Sequence, residues 1–90
     1  MTSWDAIKET RQGYCDSMDK RRWDFAYHYM VKQNQLLPKP YRILIPKANP
    51  LCGDADLAMR LCVKYMPLVE QACTDLNYLL SRRENNGKNN

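Results

Sequence analysis

"GYCDSMDKRRWDFAYHYM", residues 13–30, decides the fold, because the number of helices in the chain depends on whether one runs through it unbroken. At about 100° per residue, Trp4, Ile7, Tyr14, Cys15, Met18, Phe25 and Tyr29 fall on one face. Arg11 and Arg22 share that face, where their stems pack and their guanidinium groups reach the rim. Gly13 costs a helix about 1 kcal/mol relative to Ala and marks a bend or a break. Because Trp4 and Ile7 stay in phase with Met18 and Phe25, a bend is preferred, and one helix is expected over about 3–34. Thr2 or Ser3 caps it, with Thr2 and Asp5 in a loose capping box.

The second half of that helix is apolar on two sides. Trp23, Tyr27 and Met30 stand at i, i+4 and i+7, away from Phe25, and need cover of their own.

Residues 54–82 carry the clearer helical pattern. Asp54 and Asp56 suit a helix N-terminus, and Arg82 and Arg83 suit a C-terminus. Ala58, Leu61, Cys62, Tyr65, Leu68, Val69, Ala72, Cys73, Leu76, Leu79 and Leu80 form one broad stripe. Glu70 lies outside it, so replacement by Lys is expected to be tolerated. Pro67 projects to the polar side without shifting the phase, which favours a kinked continuation over a break.

Between these stretches lies "PKPYRILIPKANP", residues 38–50. Leu36, Leu37, Tyr41, Ile43, Leu44, Ile45 and Leu51 make the connector too apolar for a solvated loop. Its prolines keep it out of either helix and suit an edge or isolated strand. The expected fold is therefore all-α: two long antiparallel helices, about 3–34 and 54–82, each open to kinking. An extended Pro-rich connector packs across them. Residues 1–83 form a single helical domain, and 84–90 a disordered polar tail.

Ninety residues make one small domain whose stability is marginal without help, which in chains of this size usually comes from disulfides, a metal or oligomerisation. No apolar run is long enough to span a membrane, and the N-terminal residues lack the order of a signal peptide, so a cytoplasmic protein without membrane association is expected. Cys15, Cys52, Cys62 and Cys73 contain no CxxC pair and are read as structural thiols of a reducing compartment. The net charge of +4 is concentrated in residues 34–53, which hold Lys39, Arg42 and Lys47 and no acid.

Catalysis has little support. His28 is the one histidine and has no thiol in reach on its own helical face. Asp16 and Asp19 run into Lys20, Arg21 and Arg22 and read as a solvated charged face. No phosphate-cradling glycine loop is present. No enzyme activity, cofactor, metal or small-molecule substrate is expected.

Two binding readings remain. The preferred one is a non-catalytic protein-binding module, as an adaptor, an inhibitor or a homodimer. It would use Trp23, Tyr27, Met30, Tyr41, Arg42 and Ile43, among them the residue types that dominate interface hot spots. The alternative is a nucleic-acid-binding accessory protein. There Lys20, Arg21, Arg22, Lys39 and Arg42 would meet phosphates while neighbouring aromatics stack on bases.

Overall fold

A computed structural model describes residues 3–47 and 55–88, with side chains described as far as Arg82. Thr2, Leu51, Cys52 and Asp54, each given a role above, lie outside those residues, as does the end of the tail at Asn89 and Asn90. Among the described residues, three helices form an all-α bundle: α1 (Trp4–Asp19), α2 (Trp23–Leu36) and α3 (Ala55–Lys88), with a 3-10 turn over Lys39–Tyr41. Consecutive helices pair, α1 on α2 and α2 on α3. The 34 residues of α3 set the long axis of a molecule measuring 56 × 23 × 18 Å.

This corrects the expectation of two long antiparallel helices. The first does break, at Lys20–Arg22 and not at Gly13. Arg21 takes a left-handed backbone, with φ of 57°. Its N–H donates to the Met18 carbonyl at 3.1 Å, and the Arg22 N–H donates to the Ser17 carbonyl at 2.8 Å. That pair of bonds is the Schellman arrangement, which satisfies the last carbonyls of a helix and turns the chain away. The three cations stand where the C-terminal end of α1 is negative. Asp24 occupies the first turn of α2, where an anion is favoured. Ser3 caps α1, its hydroxyl accepting from the Ala6 N–H at 3.4 Å.

The break removes the two-sided apolar problem. As a separate helix, α2 turns Ala26, Met30 and Gln33 inward and leaves Phe25 exposed. The buried face of α1 also rotates, to Ile7, Thr10 and Ser17, while Cys15 lies outside and Tyr14 and Met18 are half-buried. Thr10 and Ser17 donate to the Ile7 and Gly13 carbonyls at 2.8 and 2.7 Å, so neither hydroxyl is buried unpaired. Gly13 has a packing role. A Cβ there would stand 2.5 Å from two carbons of the Tyr29 ring, so the missing side chain lets α2 close on α1.

The core gathers Ile7, Ala26, Met30 and Leu37 with Leu61, Cys62, Met66, Val69, Cys73 and Leu76 of α3. The helix is continuous through Pro67, whose side faces solvent as the pattern implied. Two leucines of the expected stripe, Leu68 and Leu79, are not covered.

Candidate interaction surface

The connector is held along α2 by side-chain hydrogen bonds, one set from its own Arg42 and the others from Asn34 and Tyr27 of the helix. Arg42 donates from Nε to the Leu37 carbonyl at 2.7 Å and from its terminal nitrogen to the Gln35 carbonyl at 2.8 Å, closing the C-terminal end of that helix. Asn34 Oδ1 accepts the Ile43 N–H at 2.9 Å, and Asn34 Nδ2 donates to the Ile43 carbonyl at 2.8 Å. Farther along, the Tyr27 hydroxyl donates to the Pro46 carbonyl at 2.8 Å. Contacts at 35–37, then 34, then 27 show the connector running back antiparallel along α2. Tyr41, Ile43 and Ile45 pack against the core, while Leu44 points to solvent.

A groove of about 530 Å³ opens between the 3-10 turn and α3, lined by Pro40, Tyr41, Ala72, Asp75, Tyr78 and Leu79. One of its walls, Leu79, also belongs to an edge of α3 that carries further exposed leucines. Leu57, Leu68 and Leu79 are 43%, 47% and 42% exposed and are spaced by eleven residues. Eleven residues make three helical turns to within about 20°, so these leucines line up on one edge.

The sequence-selected residues are divided by the fold. Met30 is completely buried and presents no surface. Tyr41, Arg42 and Ile43 are brought to α2 and joined to Tyr27 through the connector. Trp23 stands half-buried in the first turn of α2. The basic set falls into two groups, Lys20–Arg22 before α2 and Lys39 and Arg42 after it. The helix between them is about 20 Å long. Arg22 is engaged by Asp24 at 3.4 Å and by the Phe25 ring, 4.5 Å from its centroid. Hydrogen bonding from Arg22 also holds the Asp24 carboxyl below its ordinary range. Leu57 and Tyr78 are absent from the sequence-selected set, and Leu68 and Leu79, expected in the core, are exposed. The eleven-residue spacing of the three leucines is the available signal, and Tyr78 lies outside that series.

A second polar group lies between α1 and the other side of α3. Glu70 accepts from Arg11 Nε at 3.0 Å and from Gln33 Nε2 at 2.9 Å, and its other oxygen pairs with Arg11 at 2.7 Å. Gln33 Nε2 also reaches Cys73 Sγ at 3.5 Å, and Gln33 Oε1 is buried without a hydrogen-bond partner. Burial raises the Cys73 thiol above its ordinary range and Cys62 to about 11, so both remain protonated at neutral pH. A cleft of about 360 Å³ beside this cluster is lined by Trp4, Ile7, Lys8, Arg11, Cys73, Thr74 and Asn77.

Among the described residues, no helix is long and apolar enough to cross a membrane. No protein-family model matches the chain, and no curated protein or solved structure matches it either.

Proposed function

We propose that the chain is a non-catalytic protein-binding module whose docking face is the leucine edge of α3 with the groove beside it. One observation carries this reading. Three aligned leucines, each more than 40% exposed, run into a groove walled by an anchored aromatic turn. Single exposed apolar residues are ordinary, but an aligned set beside a concavity is the usual mark of an interaction site. Tyr41 and Tyr78 supply aromatic walls, of the type that anchors binding energy. The groove owes its shape to the connector, and that gives the prolines and the apolar run of residues 38–47 a use beyond covering the core.

The test is recovery of partners from nuclease-treated extract by the full chain, with Leu68→Asp/Leu79→Asp compared against Lys20→Ser/Arg21→Ser/Arg22→Ser. A defined protein that is lost with the leucine changes and kept with the basic changes supports the proposal. The reverse pattern, or recovery that disappears on nuclease treatment, rejects it.

A further inference from the structure

We infer that the occupant of this face is a second copy of the chain, with the two α3 helices antiparallel and a twofold axis passing beside Leu68. This rests on the proposed docking face and names its partner.

Symmetry of spacing is the first argument. Leu57 and Leu79 lie eleven residues to either side of Leu68. In an antiparallel pair centred on Leu68, a residue k positions ahead of the centre faces the residue k positions behind it in the other copy. Leu68 then meets itself, and Leu57 of the second copy meets Leu79, at about 16 Å from the axis on both sides. All three leucines of the α3 edge are covered in one register. Leu57 of the second copy arrives at the end of the groove that Tyr41, Tyr78 and Leu79 form.

Charge is the second and independent argument. Asp75 is the one acidic residue lining that groove. It lies seven residues beyond Leu68, while Lys64 and Arg60 lie four and eight residues before it. At 100° per residue, all three fall to the same side of Leu68, by about 20° for Asp75, in line with Leu57, and by about 40° and 80° for Lys64 and Arg60. A twofold axis at right angles to antiparallel helices joins like flanks. Asp75, about 10 Å from the axis, therefore sits between Lys64 and Arg60 of the second copy, at about 6 and 12 Å. Each copy supplies one acid to two bases, twice over. Their present contacts are local and exposed: Arg60 to Asp56 at 3.5 Å within α3, Lys64 over the Tyr65 ring at 5.4 Å, and Asp75 to Gln71 at 2.9 Å. Such surface pairs contribute little and are readily exchanged. In a parallel pairing, by contrast, Asp75 would face Asp75 and the charges would oppose one another.

The experiment is thiol cross-linking of the full chain in a Cys15→Ser/Cys52→Ser background, with a short bifunctional reagent and with molecular mass followed by sedimentation. Leu68→Cys is expected to give a cross-linked dimer by itself. Leu57→Cys and Leu79→Cys are expected to cross-link when mixed and not when either is alone. Asp75→Arg should weaken self-association by about tenfold or more, and Arg60→Asp/Lys64→Asp in the other copy should restore it. A chain that stays monomeric up to millimolar concentration overturns the inference. So does a dimer in which Leu57→Cys links to itself. A monomer that still recovers another protein through Leu68 and Leu79 would leave the docking face standing and remove only the second copy from it, which keeps the two failures distinct.

Discussion

Asn34 and Ile43 exchange two hydrogen bonds, 2.9 and 2.8 Å long, in which a side-chain amide takes the place of a neighbouring strand. This is how an isolated extended segment satisfies its backbone beside a helix. Asn34→Ala leaves both groups of Ile43 without that partner in a part-buried position, and a cost of about 1–3 kcal/mol is expected. Denaturant unfolding measures it. Hydrogen exchange should place the loss at residues 41–47 and leave α1 unchanged.

Arg21 stands where helices favour glycine, because its backbone is left-handed. Arg21→Gly removes the Cβ conflict there, and a gain of up to about 1 kcal/mol is expected. Arg21→Val should lower stability, since β-branching makes the left-handed region least accessible. Thermal unfolding of the two variants should move in opposite directions. Movement in the same direction would contradict the turn geometry.

Gly13 and Tyr29 yield a test of sign. An alanine at 13 gains about 1 kcal/mol of helix propensity but must displace a ring whose carbons lie 2.5 Å from its Cβ. Gly13→Ala is expected to destabilise the natural chain and to stabilise Tyr29→Ala. A double-mutant cycle read by denaturant unfolding provides the comparison.

Glu70→Lys, harmless on the sequence pattern alone, is now expected to cost about 2 kcal/mol or more. It removes the acceptor for Arg11 and Gln33 and sets a cation beside Arg11. Glu70→Gln retains an acceptor and should cost less. Leu76→Asp places a charge in the core and should prevent folding. Circular dichroism of the three variants ranks them.

Alkaline sensitivity follows from two weak acids held away from water, Cys62 fully and Tyr14 in part. Burial lifts Cys62 from 9.0 to about 11 and Tyr14 from 10.0 to about 12. Above pH 9 the unfolded chain releases these protons first, while the folded chain keeps them. Stability is therefore whole below pH 9 and falls as pH rises from 9 toward 12. Cys62→Ala, measured across pH 8–11, should show a shallower decline, whatever its own cost at neutral pH.

The α3 pattern is legible because eleven apolar residues repeat at helical period, although α3 runs on to Lys88, past the end expected at about 82. Ala58, Leu61, Cys62, Val69, Cys73 and Leu76 are buried as that period requires. The α1–α2 turn was hidden because its left-handed residue is an arginine and the nearest glycine serves packing instead. A periodic reading cannot tell a helix from two helices whose phases nearly agree. At the surface, residue type points to Met30, which lies in the core, while the stripe places Leu68 and Leu79 in the core and both lie outside. Stripe width alone does not say where a neighbour stops covering it. The role of Arg42 in closing α2 was likewise invisible, since it depends on the connector turning back.

The neighbour-to-neighbour order of the bundle governs how the chain acquires its shape. Its main helix pairings join consecutive elements, so little chain entropy must be lost before most contacts form. Topologies of this kind fold in microseconds to milliseconds. During synthesis from the N-terminus, the α1–α2 hairpin is complete before α3 exists. It then presents Ala26 and Met30 to water until residues 58–76 emerge and cover them. The nascent chain is therefore most prone to stray association just before α3 emerges.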